Sequence, residues 1–225
     1  MIMKYKDLIE KVDILEKEAE LTECIYFGAL KRFENVQKDL SQLDDIIHIR
    51  RVIRPFLIQW GMMGRVVGRE GLKWKKLGKT LRNLENDFNV LRNKKLLTIN
   101  FYEINVSLAI KNIYDKIRTI PYIGGQTCVP KILHLINPEI FVMWDEDIKN
   151  YYKKRNNKIT NSSKGYLEFL KEVQKELIYI LKDHQKLTGK ELENIKNEIR
   201  SKYNNKTLSR IIDEYNWITA HPIKN

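Results

Sequence analysis

Cysteine is scarce. Cys24 and Cys128 are the only two in 225 residues, far apart and without a CxxC pair. That excludes a disulfide framework and a thiolate metal site, and it fits a reducing compartment. Histidine is as thin: His48, His134, His184 and His221 show neither HxH nor HExxH spacing, so no metal and no other cofactor is expected. There is no GxSxG elbow, and no local Cys/His pair that would mark a nucleophile. No window approaches the roughly 18 apolar residues of a membrane span. The stretch "MIMKYKDLIEKVD" is charged from residue 4 onward and holds no apolar signal core. The expectation is a soluble, cytoplasmic protein with no membrane partner, nucleoid-associated if it binds DNA. Strand-rich sequence and internal repeats are missing as well.

What remains is helical. Hydrophobic residues make up 43% of the chain, enough for a sizeable core. In "KYKDLIEKVDILEKEAEL", Leu8, Val12, Leu15 and Ala19 recur at three- and four-residue steps. "VSLAIKNIYDKI" places Val106, Ala109, Ile110, Ile113 and Ile117 on one stripe, and "YLEFLKEVQKELIYILKDH" does the same with Leu167, Leu170, Val173, Leu177 and Leu181. "TLSRIIDEYNWI" is amphipathic too. Thr188 and Glu191 have the spacing of a capping box. "LLTINFY", Leu96 to Tyr102, is the one plausible extended piece. The polar tract from Lys153 to Gly165 reads as a linker or exposed loop. These signals predict an all-α bundle of two lobes. Residues 1–152 form a helical core, and 153–225 are C-terminal helices packed on it, or part of one continuous domain.

Charge is unevenly spread. The net is +12: residues 1–50 carry 8 basic and 11 acidic side chains, residues 51–118 carry 15 and 5, and residues 119–225 carry 18 and 13. A basic block confined to one part of the chain suits a polyanion-binding face; a solvated face in a Lys-rich protein is the plainer alternative. Within the block, "QWGMMGRVVGREG" (Gln59 to Gly71) is followed by "KWKKLGK". "LGKT" resembles the end of a phosphate loop but fails it, because Lys73 stands where GxxxxGK needs its first glycine. Close helix packing at Gly61, Gly64 and Gly68, with Arg65, Arg69, Lys73, Lys75, Lys76 and Lys79 projecting outward, fits better. "KWKK" interleaves cations with Trp74, as in backbone-plus-stacking contacts with nucleic acid or as a core tryptophan.

The most specific stretch is "IPYIGGQTCVPKILHLINPEIFVMWDEDI", Ile120 to Ile148. Pro121 opens a tight turn, and Gly124 or Gly125 is free to take positive φ. Thr127 can cap the next helix, with Pro130 tolerated in its first turn. Amides at such a helix start offer a place for one phosphate. Asp145 ends an apolar run and either caps a helix through "DIKNYYKK" or serves as a working acid; one residue can do both.

This arrangement resembles the helix-hairpin-helix DNA glycosylase superfamily, which includes endonuclease III and the 8-oxoguanine glycosylases. "IPYIG" matches the hairpin, "QTCVPKILHLI" the helix after it, and "FVMWD" the segment ending in the catalytic acid. The likeness covers residues 120–148, with general all-helical agreement outside them. It implies a helix-hairpin-helix element near 120–126 that holds nucleic acid, double-stranded DNA above all, through Ile123, Gly124, Gly125, Gln126 and Thr127. It implies Asp145 as the catalytic carboxylate of a base-excision N-glycosylase, with Trp60 or Trp144 stacking on an extruded base. Two departures qualify it. Tyr122 replaces the first hairpin glycine, and Gln126 stands where bifunctional members carry a lysine nucleophile, so only a monofunctional enzyme is implied. Lys131 lies further along and does not match that position. A catalytically silent DNA- or RNA-binding scaffold and a helical protein-interaction module remain the alternatives.

Overall fold

The structure, a computed structural model, describes residues 4–18, 20–64 and 72–221. The fold is all-α, with no strand among the described residues. Ten α-helices are described: α1 Tyr5–Glu18, α2 Glu20–Lys38, α3 Leu72–Asn83, α4 Glu85–Leu91, α5 Ile104–Arg118, α6 Cys128–Ile136, α7 Glu146–Lys153, α8 Ser163–Thr188, α9 Leu192–Lys202 and α10 Leu208–Ala220. Between α2 and α3 lie two wider, π-type segments, Asp45–Ile53 and Phe56–Trp60. No helix of the described residues is long and apolar enough to cross a membrane.

Most of the predicted stripe positions are buried; in α1 Leu15 is only half-buried, and Ala19 lies outside the described residues. Leu8 and Val12 of α1, all five named residues of α5 and all five of α8 face inward. One connected apolar cluster runs from Leu8 to Tyr215. The polar tract 153–165 does not detach the C-terminal helices: α8 packs on α5, and α10 packs on α1 and α7. Gly165 leaves no room for a Cβ against the Thr160 backbone, which seats that tract on the start of α8.

Three local expectations change. Leu96 to Tyr102 forms turns, not an extended strand, with the Leu96 amide donating to Glu139 O at 2.8 Å. Thr188 makes no capping box with Glu191. Gly189, at φ +68, ends α8 at Thr188, whose hydroxyl turns back to His184 O, and Glu191 makes no side-chain cap bond. Of the packed glycines, Gly61 fits the expectation, since a Cβ would lie 2.6 Å from Leu57 O. Gly64 has ordinary space around it, and Gly68 lies outside the described residues.

A buried ionic network joins the two ends of the chain. Arg210 of α10 donates to Asp213 and to Glu23 of α2, each at 2.6 Å, and lies 2.9 Å from Glu214. Lys206 reaches Glu214 at 2.6 Å, Glu23 at 2.8 Å and also Glu16. The ammonium of Lys206 sits among the three glutamates, whose oxygens lie within 4.8 Å of one another, and so supplies the cation there. Arg210 also lies over the rings of Tyr26 (4.8 Å) and Trp60 (5.0 Å). A network of this kind specifies one arrangement of helices, and removing a single partner strands the others. His134 is an uncharged core residue, bonded to Tyr26 Oη at 2.7 Å and Phe141 O at 2.6 Å, with its pKa pushed down to about 3 by burial.

Candidate nucleic-acid interface and active site

Helix α5 ends at Arg118, and the chain turns through residues 119–127 into α6. Ile120 O accepts from the amides of Ile123 (3.2 Å) and Gly124 (2.7 Å), which closes the turn. Ile123 is fully buried and plugs it, so only its backbone could meet a ligand, while Pro121 and Tyr122 are exposed. The positive φ falls on Tyr122, at +64, and not on Gly124 or Gly125. The left-handed turn is thus made despite the tyrosine side chain. Gly124 is needed for a different reason: a Cβ there would overlap the Arg118 carbonyl. Thr127 makes no side-chain cap bond. Gly125 O instead accepts from Cys128 (3.0 Å) and Val129 (3.1 Å) to start α6. Among the described residues no acceptor meets the amides of Gly125, Gln126 and Thr127. Three consecutive amides at a helix start carry partial positive charge.

The segment from Phe141 to Trp144 is buried and fixed on three sides. Phe141 O meets His134, Val142 O accepts from Tyr166 Oη at 2.8 Å, and Trp144 Nε1 donates to Gln126 O at 2.9 Å. The last bond ties the acid-bearing segment directly to the hairpin. Asp145 then caps α7: its Oδ1 accepts from Ile148 N at 2.9 Å, with Glu146 and Asp147 in the first turn. Its side chain stays 28% exposed. Gln126 does not project outward. Its amide donates to Glu146, and its Oε1 accepts from the buried Lys149 at 3.4 Å.

Around Asp145 the fold gathers residues that are distant in sequence. His221 Nε2 lies 3.4 Å from Asp145 Oδ2 and 3.2 Å from Asp147 Oδ2. The His221 ring stacks on Trp217, centroids 4.9 Å apart, and Trp217 is 40% exposed. Lys131 of α6 donates to Gly61 O at 3.0 Å and sits 5.5 Å above the Trp60 ring. Burial lowers the Lys131 pKa, and the charges of Asp213, Cys128 and Asp145 oppose that fall. Burial pushes Asp213 up to about 7 against the pull of Arg210.

The candidate residues have different fates. Lys73 is mostly buried, lying 5.4 Å over the Tyr122 ring and 5.5 Å over Trp74, so it braces the hairpin; Lys75, Lys76 and Lys79 are exposed. Arg65 and Arg69 lie outside the described residues. Trp144 offers no face to a base: it is buried at 1% exposure, and Tyr166 and Phe169 pack against its ring. Trp60 is half-buried, with Phe56 stacked 4.7 Å from its ring. Sequence motifs did not single out Asp213, Trp217 and His221. Asp213 and Trp217 lie four residues apart on α10 and His221 follows four residues later, just past its end, and that periodic signal could have found them.

No family model, no curated protein and no solved structure matches the chain.

Proposed function

We propose that the chain is a nucleic-acid-binding protein of the helix-hairpin-helix glycosylase type, acting as a monofunctional N-glycosylase on duplex DNA. The observation that carries this reading is the Trp144–Gln126 bond, which ties the residue before Asp145 to the turn whose three backbone amides are unpartnered among the described residues. In the proposed complex the amides of Gly125 to Thr127 hold one phosphate. The target nucleotide is turned out of the stack. Ionised Asp145 then stabilises positive charge building on the sugar as the N-glycosidic bond breaks. Its carboxylate orients a water whose oxygen bonds to the anomeric carbon. The base leaves with the bonding pair and takes up a proton. Gln126 cannot form a Schiff base, so that route gives no strand cleavage.

A second reading, a binder that performs no chemistry, draws on one observation: both Asp145 oxygens already have protein partners, Ile148 N and His221. Base release from a panel of lesion-bearing duplexes distinguishes the two. Under the first reading release is lost in Asp145→Asn while DNA binding persists. Absence of release by the folded wild-type protein across the panel, with binding intact, selects the second.

A further inference from the structure

We infer that the outer face of α8 is a second track for a nucleic-acid backbone, extending the path that begins at the hairpin. This rests on the reading that the chain binds nucleic acid, but its lysine stripe lies on α8, outside the basic block of residues 51–118, with Lys111 and Tyr102 added from that block.

Lys164, Lys171, Lys175, Lys182 and Lys186 succeed one another along α8 at steps of seven, four, seven and four residues. At 3.6 residues per turn these steps drift by only small angles of opposite sign, so the five lysines form one stripe about 33 Å long. Two grooves lie end to end along it. The first, of about 540 Å³, adds Lys111 of α5 and Lys158 to Lys164 and Lys171, with Tyr102 at its edge. The second, of about 350 Å³, is lined by Lys175, Lys182 and Lys186 with Tyr179. Neither groove reaches Asp145.

The face has a positive surplus. Glu168 pairs with Lys171 at 2.8 Å, Glu172 pairs with Lys175 at 2.9 Å, and Asp183 borders the second groove. Among the described residues no carboxylate oxygen lies within 4 Å of the amines of Lys111, Lys158, Lys164, Lys182 or Lys186. Tyr102 is 74% exposed and Tyr179 45%. Lys171 covers one face of the Tyr102 ring at 4.7 Å, which leaves its other face and the Tyr179 ring to a ligand. Cations with such rings between them suit phosphates and bases together; an acidic peptide would use the charges and leave the rings idle.

The track is physically joined to the hairpin. Arg118, where α5 ends, donates to Asn161 O, and Ser163 donates to Asp115 of α5 at 2.7 Å. The loop lining the first groove is thus fixed to the helix that leads into the turn at residues 119–127.

Binding of a short (8 bp) and a long (30 bp) DNA, each measured against salt, tests this. Three proteins are compared: wild type, Lys164→Glu/Lys182→Glu/Lys186→Glu, and Gly125→Asp, which places a carboxylate at the hairpin amides. Circular dichroism and melting confirm each fold, and a Lys→Arg triple variant serves as rescue. The lysine-to-glutamate triple is expected to lose at least about tenfold in affinity for the long DNA and little for the short one. Its salt slope should fall by roughly 3, about 0.9 for each phosphate no longer neutralised, and the arginine triple should restore both. Gly125→Asp should weaken both DNAs. A triple variant that binds long DNA like wild type overturns the second track and leaves the hairpin reading standing. A triple variant that loses polyglutamate or phosphatidylserine vesicles but not DNA also overturns it. Wild type binding neither DNA at low salt overturns both.

Discussion

His221 Nε2 lies 3.4 Å from Asp145 Oδ2, while the other ring nitrogen faces Trp217 O at 3.0 Å. A carbonyl only accepts, so Nδ1 carries a proton and Nε2 is the atom turned to the carboxylate. The ring occupies the side of Oδ2 that the sugar cation needs and competes with it for that oxygen. His221→Ala is therefore expected to raise base release about 1.5- to 5-fold. That range corresponds to roughly 0.2–1 kcal/mol, the scale of a partly exposed side-chain pair. Single-turnover release at fixed pH measures it, and a slower variant would make the histidine an aid to the acid.

Asp145 has a structural task that can be separated from a chemical one. Its Oδ1 caps α7 at Ile148 N. Asparagine caps a helix about as well as aspartate, whereas alanine costs about 1 kcal/mol. Asp145→Asn should melt close to wild type, and Asp145→Ala should be less stable by about that amount. Urea titrations of the two variants read the difference.

The hairpin gives a pair of opposite predictions. Gly124→Ala pushes a methyl into the Arg118 carbonyl and should destabilise by about 3 kcal/mol. Tyr122→Gly relieves a left-handed tyrosine. Relief of about 1–2 kcal/mol, less the extra backbone freedom of glycine and the lost Lys73 contact with the ring, about 0.5–1 kcal/mol each, leaves at most a small gain, under about 1 kcal/mol. If the hairpin amides hold phosphate, the glycine variant should also bind DNA more tightly. Melting and DNA titration of the two variants check both statements.

Asp213 makes stability depend on pH. Its folded-state pKa is raised to about 7, so the folded chain holds that proton more tightly than the unfolded chain. The stability this contributes is full below the ordinary carboxylate range and is lost as pH rises toward 7. Asp213→Asn lacks the proton and the fall. The stability difference, wild type minus variant, should shrink by on the order of 2 kcal/mol between pH 4 and pH 8. Urea midpoints at both pH values test it, and a constant difference would refute it.

Helices were legible in the sequence because their signal is local. The stripes of α5 and α8 repeat every three or four residues, and each is buried as the repeat requires. The turn between α5 and α6 and the cap at Asp145 were legible for a related reason, since proline, glycines and an acid fall within one short segment. Junction details were not. Thr127 and Thr188 have capping chemistry, but a carbonyl at Gly125 and a left-handed Gly189 decide those two helix ends. The surroundings of Asp145 were legible least. Lys131, Asp213, Trp217 and His221 come from α6 and the C-terminal end of the chain, and the Arg210–Glu23 bond spans 187 positions. Local periodicity carries no information about such meetings. The α8 lysines were visible one by one, but their common face requires an unbroken helix through all of Ser163–Thr188.

The stacking of Trp217 on His221 gives the protein an optical probe of its own. Of the four tryptophans, Trp74 and Trp144 are sealed in the core and Trp60 is half-covered. The emission that changes when an arriving ligand displaces the His221 ring will come chiefly from the indole of Trp217, so the chain can report on this site without any added label.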